Sequence, residues 1–290
     1  MPELPEVETV VNDLKNKIIG RKIKSVWFDA SKLIKRPKLA VFVKEIRGLK
    51  IGNIKRRAKN ILIYLSSDKI LLVHQKMTGH LLYGKWLIRN KKPISSLPGV
   101  MREKVNDYIH LIFYLDNGWQ IALSDLRKFA KVVFGPKDEI ESLEELKKLG
   151  PEPLERNFDF KKFQQALKDK KGKIKQVLMD QTVISGIGNI YSDEILWLAK
   201  IHPFRPANQL KDPEMKKIFH FIKAVLKKAV KLRGTSVSDF RDPEGKSGHY
   251  ANQLYVYQRE GEKCPRCQGA IKRLKMGSRS AHFCPNCQKL

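Results

Sequence analysis

The feature that most constrains the fold of this chain is a set of four cysteines near its carboxyl end. They form two Cys-x-x-Cys pairs separated by sixteen residues, and they are the chain's whole complement of cysteine: Cys264, Cys267, Cys284 and Cys287. This spacing is typical of a four-thiolate zinc site, and disulfides are the poorer interpretation for a chain that we expect to be intracellular. Because four protein ligands leave no position for water, we predict one structural Zn²⁺ that folds the segment and takes no part in catalysis.

The charge balance favours a polyanionic partner. The 290 residues include 58 Lys and Arg against 30 Asp and Glu, a formal net charge of +28. An excess of this size favours nucleic acid over a merely solvated basic surface, and a membrane surface is a weaker alternative because no strongly basic helix has a wide apolar face. No apolar run approaches the length of a membrane span, and acids at positions 3, 6 and 8 argue against a signal peptide.

A helix with unusual chemistry at its start is predicted at the amino terminus. Apolar residues recur at helical spacing over 7–18, and Pro5 suits the first turn. If Met1 is removed, the chain begins with the secondary amine of Pro2, beside the carboxylate of Glu3. An α-amine has a pKa of about 8, and a helix N-terminus disfavours its protonated form, so part of the population could be a neutral nucleophile. A well-capped helix without chemistry is the alternative.

The remaining chain changes character at a Pro- and Gly-rich segment over 149–153. Before it, short β-branched or aromatic segments predict strands of a sandwich or barrel: 23–28, 40–46, 61–65, 70–74, 108–115, 119–123 and 131–134. Beyond it, periodic helical stretches follow. The glycine turn at 185–189 opens one of these helices, and its backbone N–H groups suit a phosphate, although a plain helix connection is equally consistent. Residues 233–252 lack periodicity and predict a mobile loop.

Eight motifs follow one another along essentially the whole chain. They are PELPEVE at 2–8, RRAK at 56–59, HQKMTG at 74–79, DLRKF at 125–129, SGIGNIYSDE at 185–194, IHP at 201–203, LYVYQREGEKC at 254–264, and Arg279 before HFCPNCQ. Each motif is weak singly, but in this order they are specific, and the chain resembles the formamidopyrimidine-DNA glycosylase family, bacterial enzymes that excise oxidised purines. The sister family, endonuclease VIII, shares the terminal proline and the zinc ribbon. It usually has glycine where this chain has Leu4, which favours the purine-directed branch.

The resemblance implies an α+β fold in three domains, with DNA bound in the cleft between the first two. They are an N-terminal catalytic β-sandwich flanked by helices over 1–148, a helix–two-turn–helix domain over 149–260, and a β-hairpin zinc ribbon over 261–290. The implied partner is damaged double-stranded DNA, bound by a monomer without membrane association. The implied location is the bacterial cytoplasm, with nucleoid association through DNA binding.

The resemblance also assigns the catalytic residues. The Pro2 nitrogen attacks C1′ of the damaged nucleotide, and the resulting Schiff base promotes β- and δ-elimination, while Glu3 acts as general acid. Lys59 holds the phosphate beside the lesion and assists electrostatically, and Arg279, also in the catalytic set, grips a backbone phosphate. Glu6 would orient water or the sugar, with a simple helix-cap role equally consistent.

Seven further residues are implied to contact DNA: His74, Met77, Arg127, Phe129, Lys175, Asn189 and Tyr257. Asn189 completes the phosphate clamp with Arg279, and His74 makes another phosphate contact. Residues 77, 127 and 129 would fill the space left by the extruded base, since apolar wedges suit unstacked steps and arginine can bind the orphaned cytosine. The alternatives are a core position for Met77 or Phe129, an exposed surface role for Lys175, and burial for Tyr257.

Two departures from the family pattern and two rival functions stay open. Lys76 stands where arginine is frequent, and Ala130 replaces a usual glycine, so the Phe129 loop is expected to be positioned differently because positive φ is less accessible. The implied lid over the flipped base spans 235–248. A catalytically silent DNA-binding protein is the first rival, and an endonuclease VIII-like activity on oxidised pyrimidines is the second. The joint presence of Pro2, Glu3 and Lys59 favours an enzyme.

Overall fold

The computed structural model describes residues 1–237 and 239–290, so the implied lid is described except for residue 238, which lies outside the described residues. The chain divides into two compact units. The first unit comprises residues 1–147 and 232–249, and the second comprises 148–231 and 250–290. The three-domain division stays a prediction. Among the described residues, no helix has both the length and the apolar character needed to cross a membrane.

Two β-sheets form the body of the first unit. Its strands are β1 (Ile23–Phe28), β2 (Ile34–Arg36), β3 (Ile51–Arg57), β4 (Asn60–Leu65), β5 (Lys69–His74), β6 (Gly79–Gly84), β7 (Trp86–Arg89), β8 (Lys92–Ser95), β9 (Ile109–Leu115), β10 (Gln120–Asp125) and β11 (Lys131–Pro136). One sheet has the antiparallel order β1-β9-β10-β6. The other has the order β2-β11-β5-β4-β3 and is antiparallel except where β2 pairs with β11. Strands β7 and β8 form a separate hairpin.

Helix α1 (Leu4–Ile18) packs on β3 and β4 and closes the core of the first unit. Its buried apolar stripe includes Val10, Leu14 and Ile18, and burial of each such side chain stabilises the fold by about 1.5–3 kcal/mol. The helix bounds follow the apolar period over 7–18. Because Pro5 lies in the first turn, its missing N–H costs no intrahelical hydrogen bond.

The strand predicted at 40–46 is wrong, because this segment is helix α2 (Leu39–Ile46). Its buried residues are Phe42 and Ile46, four positions apart, which is one face of a helix. Valines at 41 and 43 suggested a strand, yet both are exposed. Two short helices, α3 (Lys137–Glu141) and α4 (Glu144–Lys147), end this part of the chain.

The second unit is helical and ends in a β-hairpin. Its helices are α5 (Phe160–Leu167), α6 (Ile174–Met179), α7 (Asn189–Ala199) and α8 (Asp212–Lys231), and the hairpin strands are β12 (Lys272–Met276) and β13 (Arg279–Phe283). Helix α7 packs against α6, α8 and β13. It is buried on nearly every side, so the polar residues along it must find partners within the protein.

Candidate functional site

The amino-terminal residues are buried at the start of α1. Pro2 is buried, and Glu3 and Glu6 are only 2% and 1% exposed. The Glu3 N–H donates a hydrogen bond of 2.7 Å to Glu6 Oε2, and the Thr235 N–H donates one of 2.7 Å to Glu6 Oε1. Glu6 therefore has the capping role that was weighed for it, and its second oxygen binds the 232–249 segment.

Lys59 lies in the tight turn between β3 and β4 and is 6% exposed. The turn is possible because Ala58 adopts a positive φ of 52°. On the preceding strand, Arg56 Nε is 2.5 Å from Glu8 Oε2, and Arg56 Nη1 donates to the Ala58 carbonyl over 3.0 Å. This arginine connects α1 to the turn, so the helix that begins at the candidate nucleophile also fixes the segment that carries Lys59.

A single buried carboxylate connects the two turns that carry the predicted wedge residues. Asp125 is fully buried and accepts hydrogen bonds from the Thr78 hydroxyl and, over 2.7 Å, from the Ala130 N–H. The Arg127 N–H donates to Thr78 Oγ1 over 3.1 Å. Sequence reasoning missed Asp125, although an acid at the end of a buried strand was the signal for it. The turn that contains Met77 is thus fixed to the turn over 125–130.

Phe129 projects from its turn and is 50% exposed, which excludes the core position considered for it. The Arg127 guanidinium carbon lies 4.5 Å from the centre of the Phe129 ring, a cation–π contact. Met77 is half-buried. In this turn Lys128, with φ of 54°, takes the left-handed conformation, and Ala130 does not. The different position expected for the Phe129 loop stays a prediction.

His74, at the end of β5, is a neutral imidazole. Burial, together with the nearby cations Lys76, Lys59 and Lys131, lowers the pKa of His74 to about 3. Nδ1 accepts a hydrogen bond of 3.0 Å from the Lys76 N–H, so the proton resides on Nε2. A neutral Nε2–H can still donate to a phosphate oxygen. The phosphate contact predicted for His74 stays a prediction.

Three of the predicted DNA-contacting residues lie around one cavity of the second unit. Asn189, Tyr257 and Arg279 line this cavity, whose volume is about 660 Å³. The cations Arg273 and Lys275 outnumber the one acid in the lining, Glu260, which lies 4.0 Å from Arg273. Asn189 begins α7, and its Oδ1 has no hydrogen-bond partner among the described residues. Arg279 is exposed at the start of β13. The cavity is therefore suited to an anion.

Lys175 requires a correction, because it is completely buried beneath the hairpin. Its Nζ forms an ion pair with Asp193 Oδ1 at 2.7 Å and donates to the Ser280 carbonyl over 2.6 Å. Asp193 Oδ2 accepts from the His282 N–H over 3.0 Å and from its Nδ1–H over 3.1 Å. The surface role considered for Lys175 is wrong, and this geometry does not support direct DNA contact. The lysine instead supports the strand that carries Arg279.

The neighbouring acid on α7 supports the segment that carries Tyr257. Glu194 accepts hydrogen bonds of 2.8, 3.0 and 3.0 Å from the N–H groups of residues 255, 256 and 257. Burial raises the pKa of Glu194 to about 7, against the opposing effect of these three donors. Sequence reasoning missed Asp193 and Glu194. Two adjacent acids within an otherwise apolar helix were the available signal.

The four cysteine sulfurs lie within 4.8 Å of one another at the base of the β12–β13 hairpin. Two of the separations are 3.9 Å for Cys264–Cys287 and 3.4 Å for Cys267–Cys284. Tetrahedral zinc with Zn–S bonds of about 2.3 Å requires sulfurs about 3.8 Å apart, so the cluster fits the ion. Burial and the neighbouring thiols raise the pKa of Cys287 to about 12. A bound cation is what allows all four thiols to ionise together.

The chain combines a proline buried at position 2 of a β-sheet unit with a helical unit that ends in a hairpin of four clustered cysteines. This combination is typical of zinc-containing DNA repair glycosylases, and the family models that match the chain agree. The Formamidopyrimidine-DNA glycosylase N-terminal domain matches residues 1–132, and the H2TH domain of the same glycosylase matches 149–241. The Zinc finger found in FPG and IleRS matches 261–290. The chain belongs to the formamidopyrimidine-DNA glycosylase family. The predicted family, the α+β fold class and the structural zinc are thereby confirmed.

Full-length relatives and solved structures agree with this assignment. The formamidopyrimidine-DNA glycosylase of Pelotomaculum thermopropionicum is 40% identical over 290 residues, covering 100% of both chains, and that of Desulforamulus reducens is 38% identical, covering 100% of this chain and 99% of the relative. Lactococcus lactis Fpg in complex with DNA containing an abasic site is 36% identical with a TM-score of 0.87, covering 99% of this chain and 100% of that one. The same protein bound to DNA containing an oxidised pyrimidine has a TM-score of 0.86.

Proposed function

We propose that this chain is a bifunctional DNA glycosylase and abasic-site lyase that removes oxidised purines from damaged duplex DNA. The observation that carries the proposal is the pairing of a buried Pro2 with a buried Glu3 at the first turn of α1. Full-length relatives that bear the name formamidopyrimidine-DNA glycosylase support the same reaction. We place the enzyme, as a monomer, in the bacterial cytoplasm, where DNA binding brings it to the nucleoid.

The reaction begins once removal of Met1 exposes the Pro2 amine. Because a base inside the duplex cannot be reached, the damaged nucleotide is first flipped out of the stack. The proline nitrogen then donates its electron pair to C1′ and the C1′–N bond to the base breaks, with Glu3 protonating the ring oxygen or the departing base. Loss of the amine proton and ring opening give an iminium ion. Its electron-withdrawing character allows β-elimination of the 3′ phosphate and δ-elimination of the 5′ phosphate.

The remaining site residues bind DNA around this centre. In the first unit, Lys59 and His74 hold the phosphates beside the lesion, and Met77, Arg127 and Phe129 fill the space left by the flipped nucleotide. The fixed pair of turns at Asp125 supports this wedge role, because inserted side chains must resist displacement by the stacked bases.

In the second unit, Asn189, Tyr257 and Arg279 bind backbone phosphates at the cavity that they share. Zinc holds the hairpin that presents Arg279, and it supplies no chemistry to the reaction because its four ligands are protein thiolates.

Borohydride trapping tests this proposal. The protein lacking Met1 is incubated with duplexes containing 8-oxoguanine opposite cytosine or containing thymine glycol, and reduced covalent adducts are measured. A covalent adduct through Pro2, with faster trapping on 8-oxoguanine, is expected. The same protein with Met1 retained is the matched control, because its proline nitrogen lies within a peptide bond and should form no adduct.

A preference for oxidised pyrimidines is the second candidate, favoured by the complex of Lactococcus lactis Fpg with DNA containing such a lesion. Faster trapping on thymine glycol would support that candidate over the purine-directed activity. Binding to both duplexes without any adduct would instead support the catalytically silent DNA-binding protein.

A further inference from the structure

Two consecutive residues at the start of the 232–249 segment have left-handed backbone conformations. Arg233 has a φ of +63° and Gly234 a φ of +78°. Glycine adopts this conformation freely, whereas arginine does so at a cost, and such residues persist only where the surroundings hold them. Arginine at this position therefore needs a compensating interaction.

The compensation is a pair of ionic contacts made by one guanidinium. Arg233 donates through Nη1 and Nη2 to the two carboxylate oxygens of Asp13, the first over 3.1 Å, and Asp13 lies on α1. It also donates through Nε and Nη2 to Asp242 Oδ2 over 3.1 and 2.5 Å. Both carboxylates raise the pKa of Arg233, so its charge is permanent. The Arg233 side chain therefore connects the 232–249 segment to α1, the helix that begins just after Pro2 and Glu3.

The second anchor is itself rigid. Asp242 is fully buried, and its Oδ1 accepts hydrogen bonds from the N–H groups of Glu244 and Lys246 over 2.9 and 3.0 Å. Its position is set by the backbone around it, so Arg233 is held between two fixed carboxylates.

The backbone just beyond Arg233 contacts the carboxylate that caps the catalytic terminus. Thr235 N–H donates to Glu6 Oε1, and Glu6 Oε2 accepts from the Glu3 N–H, both over 2.7 Å. Gly234 passes so close to this group that a Cβ placed on it would lie 2.8 Å from Glu6 Oε1 and 3.2 Å from the Glu6 Cα. The position of Thr235 and the orientation of Glu6 are thus coupled.

We propose that Arg233 is a positioning residue for the Pro2–Glu3 terminus, acting through Thr235 and Glu6. This inference rests on the proposed function, since it assigns the consequence to attack by the Pro2 amine. Loss of the guanidinium frees Thr235 from Glu6, and Glu6 then no longer fixes the Glu3 backbone. The chemical step slows, while DNA affinity does not change because Arg233 is engaged with carboxylates of its own unit.

The test compares R233Q with wild type, both lacking Met1, on a duplex that contains a preformed abasic site. Single-turnover trapping by R233Q should be slower by about tenfold, equivalent to about 1.4 kcal/mol of barrier, with an unchanged dissociation constant for DNA. R233K should recover part of the rate. R233G removes the backbone cost but also the ion pairs, so it should be as slow as R233Q. K69Q, which breaks the exposed Lys69–Glu45 ion pair, is the matched control and should trap at the wild-type rate.

Hydrogen exchange provides a measurement that does not depend on activity. Backbone amides of residues 3–7 should exchange faster in R233Q than in wild type, and D13N should give a milder increase if R233Q is too unstable to purify. Unchanged trapping and unchanged exchange in R233Q would overturn the positioning role. Failure of wild type itself to trap would refute the proposed function, and the exchange comparison would still decide whether Arg233 orders the terminus.

Discussion

At the scale of single residues, the proposed mechanism assigns the nucleophile and the general acid to two adjacent residues. In this proposed mechanism Pro2 supplies the amine and Glu3 the proton, so substitutions at the two positions should affect the two halves of the reaction differently. The conservative change E3Q keeps the shape of the side chain while removing its acidity.

In E3Q, excision of 8-oxoguanine should fall by about 10²–10⁴-fold, the usual contribution of a positioned general acid. Trapping on a preformed abasic site should fall much less, since no base has to leave. Single-turnover kinetics on both duplexes measure the two rates. E45Q, at an exposed acid on α2, should leave both unchanged. Equal losses on the two duplexes would argue against Glu3 as the acid that serves base departure.

A second prediction concerns the buried pair beneath the hairpin. D193N removes the charge that Asp193 places 2.7 Å from the buried Lys175 ammonium, so the free energy of unfolding should fall by about 3–5 kcal/mol. The double variant K175M/D193N removes both charges of the pair and should be more stable than D193N. Urea unfolding of the three proteins provides the comparison. A double variant less stable than D193N would contradict this account of the pair.

Individual site residues could be predicted where chemistry alone selects the residue type. They could not be predicted where the packing of the folded chain decides which groups surround a side chain. The four cysteines of the zinc site could be found from their spacing alone, and the structure brings them together. The role of Pro2 stays a prediction. The burial of Lys175 could not be predicted, because its partner Asp193 is eighteen positions away and only the tertiary fold brings them together. Glu194 escaped notice for the same reason, since the N–H groups that it binds lie 61 to 63 positions away. Asp125 escaped notice because one of its partners, the Thr78 hydroxyl, belongs to a different turn.

At the scale of elements, α7 supports two parts of the cavity lined by Asn189, Tyr257 and Arg279 through its adjacent acids Asp193 and Glu194. The protonation of Glu194 is sensitive to pH. Burial raises the pKa of Glu194 from 4.5 to about 7 in the folded state. The stabilising effect of its bound proton is therefore fully present below pH 4.5 and is lost as the pH rises through 7. The full effect amounts to about 3 kcal/mol.

E194Q removes this titration. The free energy of unfolding of E194Q relative to wild type should therefore shift in favour of the variant between pH 4.5 and pH 8. Urea unfolding at intervals across that range measures the difference. A difference that does not change with pH would mean that the three backbone donors outweigh burial and keep Glu194 ionised throughout.

The hairpin of β12 and β13 depends on its metal. Removal of zinc by a chelator should disorder this hairpin, release Arg279 and weaken DNA binding, whereas the β-sheets of the first unit should persist. Circular dichroism and a DNA-binding titration follow the two effects, and added Zn²⁺ should restore binding. Unchanged affinity for DNA in the metal-free protein would mean that Arg279 does not contribute to DNA binding.

Most elements with a clear period were predictable, whereas strands β3 and β6 were not predicted and α2 was assigned as a strand. Its sequence, LAVFVKEI, is β-branched and apolar, which favours a strand, yet its buried pair at 42 and 46 follows the helical period. The exposed valines at 41 and 43, on either side of Phe42, carried the misleading signal. Local propensity cannot resolve such a segment, because the sheet against which it packs determines which side is buried.

At the scale of the whole molecule, the net charge of +28 makes binding to DNA dependent on salt. Affinity should fall steeply between 50 and 200 mM salt, and removal of one phosphate-contacting cation should reduce the slope of log K against log salt by about 1. R273Q and K275Q test the cavity in this way by fluorescence anisotropy. K161Q, at a lysine outside that cavity, is the control. An identical slope in all three variants would mean that the phosphate contacts lie outside this cavity.

The shared anchor at Asp125 has a consequence for redesign of lesion specificity. The Thr78 hydroxyl and the Ala130 N–H donate to the same carboxylate, that of Asp125. The two turns that carry them should therefore behave as one rigid unit. A designer who exchanges either loop must transplant both together with their acid. A graft that replaces only one turn would also displace the other, even if none of the side chains proposed to contact DNA is changed.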